Sequence, residues 1–326
     1  MEEMSEPLLL EVKDLKKYFV TSKSFFTRKP SYVSAVNGVT LDIKKGETLG
    51  LVGESGCGKS TLGRTILRLT PMTGGQVIFD GKDIGKLKNE EMRLLRQKMQ
   101  MIFQDPYSCL NPRMNILELV RAPLDVFKIG TAAERTEKVK EMLEIVGMGE
   151  HHMMRYPHEF SGGQRQRVGI ARALISSPEF VVCDEPVSAL DVSVRASVLN
   201  LMRQLQERFG LTYLFISHDL SVVKHISDRV AVMYLGGIVE ITGKEELYEN
   251  PLHPYTKALL SAIPLPDTDV KASPKVLEGD LPSPYNPPSG CRFHTRCEHC
   301  MARCKEEAPV LKDMGGGHQV ACHLYD

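Results

Sequence analysis

The 326 residues suffice for one large domain, or for a core domain of roughly 230 to 250 residues with a smaller appendage. Hydrophobic residues make up 42% and charged residues 25%, the balance of an ordinary globular chain. Lys plus Arg and Asp plus Glu both number 41, which argues against a nucleic-acid backbone as the main partner.

Met1–Pro7 is acidic and lacks the basic-then-apolar pattern of a secretory signal, so a chain that stays in the cytoplasm is expected. No apolar run approaches the 18 or more residues of a membrane-spanning helix. Residues 8–20 and 39–52 show strand-like alternation or apolar runs, clearest at Leu8–Val12 and Thr48–Val52. The segment Thr21–Pro30 between them carries Lys23, Phe25, Phe26, Arg28 and Lys29 and reads as a solvated hairpin loop able to touch anionic headgroups.

Gly53-Glu54-Ser55-Gly56-Cys57-Gly58-Lys59-Ser60-Thr61 fills every defined position of the nine-residue phosphate loop, directly after an apolar strand and before a helix predicted over Leu62–Leu69. Its glycines let successive backbone N–H groups face phosphates, and the helix N-terminus adds partial positive charge. Lys59 is placed to reach the β and γ phosphates and Ser60 to offer a hydroxyl to Mg²⁺. Cys57 occupies a variable position as a tolerated small residue.

From Asn89 to about Gly149 helical spacing dominates, with Pro123 and Gly130 as punctuation. Strands resume at Phe180–Cys183 and Thr212–Ile216 around a helical stretch, Val192–Arg208, the rhythm of a parallel sheet covered by helices. The first of these ends in Asp184-Glu185. Asp184 at the carboxyl edge suits the Mg²⁺ shell, and Glu185 is the candidate to orient and polarise an attacking water. Seven prolines between Pro264 and Pro288 predict a linker, placed at 264–290. Of eight cysteines, Cys291, Cys297, Cys300, Cys304 and Cys322 crowd the last 36 residues, which in a reducing compartment reads as metal ligation before disulfides.

About 100 residues after the phosphate loop stands Phe160-Ser161-Gly162-Gly163-Gln164-Arg165-Gln166-Arg167. It resembles the signature of ATP-binding-cassette proteins, in which Leu usually stands where Phe160 does. The resemblance covers residues 8–250 and implies an α/β P-loop NTPase core with an N-terminal antiparallel β subdomain and an inserted helical subdomain at about 105–175. It implies a dimer in which Ser161, Gly162, Gly163 and Gln164 serve ATP bound by the partner subunit. It further implies that Gln104 senses Mg²⁺ and water, that Ser188–Asp191 communicates between subunits, and that His218 contacts the γ phosphate. Tyr18 or Phe19 would stack on adenine, and spacing does not choose between them.

A narrower resemblance covers the extension 251–326: His253–Leu260, Gly279–Pro284, Pro287–Cys291 and Ala321-Cys322-His323 are similar to the terminal region of oligopeptide and dipeptide importer ATPases. That family implies an ATPase on the cytoplasmic face of a prokaryotic membrane, with a dissimilar ATPase partner, two permeases and an extracytoplasmic peptide-binding protein; the long first loop is more like the F-type subunit. Its cysteine pattern maps to Cys291, Cys297, Cys304 and Cys322, with five, six and 17 intervening residues, and is associated with a [4Fe-4S] cluster. Four thiolates suit zinc equally. Cys300 is surplus, while His294, His299 and His323 read as solvent-facing or structural. Competing readings are an importer of nickel, other metal complexes or oligosaccharides, a nucleic-acid-acting cassette, and a redox sensor using ATP only for structure.

Overall fold

The computed structural model describes residues 7–22, 31–262, 282–283 and 285–326. Lys23–Pro30, and with it the basic aromatic loop, lies outside the described residues, as do residues 263–281 and 284 of the proline-rich segment.

In chain order the strands and helices begin with β1 (Leu8–Ser22), β2 (Ser31–Lys44), β3 (Thr48–Val52), α1 (Lys59–Ile66), β4 (Gly74–Phe79) and β5 (Lys82–Asp83). A mainly helical stretch follows: α2 (Asn89–Leu95), β6 (Met99–Ile102), α3 (Pro106–Cys109), α4 (Ile116–Phe127), α5 (Ala132–Ile145) and α6 (Gly162–Leu174). Then come β7 (Phe180–Asp184), α7 (Val192–Phe209), β8 (Thr212–Ile216), α8 (Leu220–Ile226), β9 (Arg229–Tyr234) and β10 (Gly237–Gly243). The chain closes with α9 (Lys244–Glu249), α10 (Pro254–Ser261), α11 (Ala302–Glu306), β11 (Lys312–Asp313) and β12 (Gln319–Val320).

These elements form two units. The first holds Lys44–Glu47 and Lys86–Ile216; the second holds Leu8–Ile43, Thr48–Gly85 and Ser217–Asp326. In the first, β6, β7 and β8 pair in parallel, with Met99 opposite Phe180 and Phe180 opposite Thr212. Every residue of β7 and β8 is buried, which explains their unbroken apolar runs. Capping boxes start the helices: Asn115 with Glu118 for α4, Thr131 with Glu134 for α5 and Ser161 with Gln164 for α6.

Pro123 was expected to punctuate this region, yet it lies inside α4. An interior proline costs about 3 kcal/mol. The helix buries Ile116, Leu119, Val120 and Leu124, each worth roughly 1.5–3 kcal/mol, so burial outweighs the lost backbone bond. Gly130, with φ 69°, does mark the turn after α4.

In the second unit an antiparallel sheet runs β2-β1-β4-β5. β2 begins at Ser31 rather than near residue 39. Gly38, at φ 78°, breaks its alternation, so buried Val36 and Val39 fall three apart, the signature of a bulge. In the same unit β3 pairs in parallel with β9, β10 runs antiparallel to β9, and β12 runs antiparallel to β10 with Val320 opposite Glu240. The C-terminal segment thus extends the sheet from which the phosphate loop springs. Among the described residues no helix is long and apolar enough to cross a membrane.

Candidate nucleotide site

The phosphate loop leaves β3 at Val52 and enters α1 at Lys59. Two of its glycines are required sterically. A Cβ on Gly53 (φ 153°) would stand 2.2 Å from the Met233 carbonyl oxygen, and one on Gly58 (φ 108°) 2.1 Å from that of Ala35. Lys59, 5% exposed, donates from Nζ to the carbonyl oxygens of Gly53 at 2.7 Å and Glu54 at 3.0 Å. The loop is therefore tied shut by the same ammonium that the motif aims at phosphates. Cys57 is buried, and burial raises its thiol pKa, as expected of an inert packing residue.

In the first unit, Asp184 ends β7 and is 1% exposed. Glu185 follows with φ 46°, a left-handed conformation costing a non-glycine residue about 1–2 kcal/mol. Its N–H donates to the Ile216 carbonyl at 3.0 Å, and its carboxylate accepts from Gln104 Nε2 at 3.0 Å. Ser188 donates from Oγ to the Glu185 carbonyl oxygen at 3.0 Å. Strain of this kind persists where surrounding bonds over-determine it. The sequence carries no sign of it, because only Gly or Asn advertises a left-handed backbone.

Ser161 caps α6: its Oγ accepts the Gln164 N–H at 3.4 Å, and its own N–H donates to Gln164 Oε1 at 3.0 Å. A Cβ on Gly163 would meet Val194 Cγ1 at 2.3 Å, so that glycine lets α6 approach α7.

Tyr18, Phe19 and His218 belong to the second unit. Tyr18 donates its hydroxyl to Asn37 Oδ1 at 2.7 Å, whereas Phe19 is 40% exposed beneath the Lys17 ammonium, 4.7 Å from its ring centroid. His218 is exposed between β8 and α8.

Cys297, Cys304 and Cys322 lie within electrostatic reach of Cys291. The Cys291 thiol is pushed up to about 11, first by burial and also by the charges of Cys304, Cys322 and Cys297. Burial first, and then the charges of Cys322, Cys304 and Cys300, raise Cys297; burial first, and then those of Cys304, Asp326 and Glu240, raise Cys322. Thiols that oppose one another's ionisation are a donor set that a bound cation would neutralise, so their chemistry fits a metal. The side chains do not stand in a formed coordination shell: among the described residues no group of three or more His, Cys, Asp or Glu is arranged to hold an ion. His294 and His323 serve structure, with Nδ1 of His294 on the Cys291 carbonyl at 2.8 Å and His323 Nδ1 on Asp326 at 2.7 Å.

Two residues that the motifs did not single out touch the phosphate loop. The Glu54 N–H donates to the Tyr255 hydroxyl at 2.9 Å, and Arg296 donates to both Glu54 carboxylate oxygens at 3.1 and 3.0 Å. Nothing in the sequence ties them to the loop, since they lie 201 and 242 residues away along the chain.

Comparison with known proteins adds to this geometry. The ABC transporter family matches residues 36–188, and the oligopeptide/dipeptide transporter C-terminal region matches residues 239–304. The chain is 56% identical over 324 residues to the oligopeptide transport ATP-binding protein AppF of Bacillus subtilis, covering 98% of both chains. It is 53% identical to the oligopeptide transport ATP-binding protein OppF of Salmonella typhimurium, covering 98% of this chain and 97% of that protein. Among solved structures, a dimeric ATP-binding cassette in a post-hydrolysis state bound to ADP and Pi is 29% identical, with a TM-score of 0.64 over 72% of this chain and 98% of that one.

Proposed function

The chain belongs to the ATP-binding-cassette transporter ATPases, and on that premise we propose that it is the ATP-hydrolysing subunit of an importer of dipeptides or oligopeptides. One observation carries the substrate class: relatives named for oligopeptide transport match nearly the whole chain, and the oligopeptide/dipeptide transporter C-terminal region matches residues 239–304.

In this reading the N–H groups of Gly53–Thr61 cradle the phosphates, and Lys59 exchanges its bonds to the Gly53 and Glu54 carbonyls for phosphate oxygens. Ser60, Gln104 and Asp184 supply hard oxygen donors that suit Mg²⁺, whose charge would offset that building on the phosphates. Glu185 orients and polarises the attacking water, held by the amide of Gln104. His218 contacts the γ phosphate. Tyr18 or Phe19 stacks on adenine: the Tyr18 hydroxyl is tethered to Asn37, and the Phe19 ring is 40% exposed with the Lys17 ammonium over one face.

Ser161, Gly162, Gly163 and Gln164 complete the site of a homologous, dissimilar ATPase subunit, so hydrolysis requires that partner. The pair works at the cytoplasmic face of the membrane with two permeases and an external peptide-binding protein. Cys291, Cys297, Cys304 and Cys322 hold a [4Fe-4S] cluster, zinc being the alternative.

The test is transport. In cells lacking this chain, wild type restores uptake of a labelled tripeptide and Glu185→Gln does not. Restored uptake of nickel or an oligosaccharide, without peptide uptake, would overturn the substrate class.

A further inference from the structure

Glu54 is the second residue of the phosphate loop, and it is held at three points. Its carbonyl accepts from Lys59, its N–H donates to Tyr255 of α10, and its carboxylate lies against the Arg296 guanidinium. The last two partners come from the C-terminal region. Arg296 is well sheltered there, with its side chain 7% exposed against 24% for Glu54, so the pair is little screened by solvent.

The segment that presents Arg296 is itself anchored. Tyr234, Tyr255 and Phe293 pack as an aromatic cluster with ring centroids 4.7 to 5.4 Å apart. Arg292 donates to the carbonyls of Leu235 at 2.8 Å and Asn37 at 3.0 Å, and the Cys291 N–H to that of Cys304 at 2.8 Å. Arg296 also immediately precedes Cys297, one of the converging thiols.

A carboxylate carried by a loop that must accept a polyphosphate is a liability, because like charges brought together oppose binding. Arg296 neutralises that carboxylate and, with Tyr255, keeps the loop in one shape. We propose that Arg296 is a positioning residue for ATP binding, acting through Glu54, by which the C-terminal segment holds the phosphate loop ready for nucleotide. This rests on Gly53–Thr61 being the ATP site.

The test uses the full-length chain and measures the dissociation constant of ATP directly, with the KM and kcat of hydrolysis beside the partner subunit. Arg296→Ala is expected to raise Kd and KM by about tenfold with kcat changed less than twofold, and Arg296→Lys to retain most of the affinity. Glu54→Gln added to Arg296→Ala should recover the affinity, since the unneutralised carboxylate is what harms binding; a purely structural role would not be rescued. If Arg296→Ala does not fold, Arg296→Gln, which keeps the length and loses the charge, is read in the same way with and without Glu54→Gln. An unchanged Kd in Arg296→Ala or Arg296→Gln, or no recovery in the double variant, overturns the inference alone. Absence of ATP binding by wild type overturns the underlying site reading as well.

Discussion

Gln104 Nε2 lies 3.0 Å from Glu185 Oε2, and Glu185 takes that hydrogen bond from a left-handed backbone with φ 46°. The donated N–H fixes the direction of the carboxylate, as the proposed role of orienting a water requires. Glu185→Gln removes the proposed base while keeping the side-chain shape. Turnover is expected to fall by about 100- to 10,000-fold with ATP affinity unchanged within a few-fold. A steady-state rate near that of wild type would sink the assignment of Glu185.

Stability should depend on pH through His253. Its Nδ1 accepts the Tyr255 N–H at 3.0 Å, capping α10, and only the neutral ring can accept there. Burial first, and then the Lys257 charge, lowers its pKa to about 3 from an ordinary value of 6.5. Between those values the unfolded chain binds a proton that the folded chain refuses. The contribution is therefore complete above pH 6.5 and is lost as pH falls through that window, by up to about 1.4 kcal/mol per pH unit. Urea unfolding at pH 7, 6 and 5 should show this slope in wild type and a flatter one in His253→Asn, whose amide caps without titrating. Equal slopes would exclude His253 as the source.

The converging thiols predict the metal content. Anaerobically purified protein is expected to carry about four irons and four sulfides per chain, the stoichiometry of the cluster that four thiolates hold. Cys297→Ser should lose them and Cys300→Ser should keep them. Zinc in their place, or retention by Cys297→Ser, would refute the cluster and its ligand set.

The parts of the site readable from the sequence are those whose chemistry sits on contiguous residues. Gly53–Thr61 required glycines at Gly53 and Gly58 because carbonyl oxygens crowd those positions, and Phe180–Asp184 and Thr212–Ile216 ran unbroken in apolar residues because both strands are wholly buried. Where local rules conflicted with packing, packing prevailed. Pro123 stayed inside α4 because four buried apolar side chains outweigh one missing backbone bond, and Gly38 hid the start of β2 by interrupting its alternation.

The sequence by itself determined the phosphate loop, the acidic pair after β7, the Ser161–Gln164 cap and the cysteine set, since each is specified by residue type at short spacing. Only the tertiary structure decided that Gln104 would hold Glu185 from 81 residues away, that Glu185 would be left-handed, and that Tyr255 and Arg296 would grip Glu54 across 201 and 242 residues. Such pairings have no periodicity to betray them; they exist because folding brings distant backbone together and leaves each buried polar group in need of a partner.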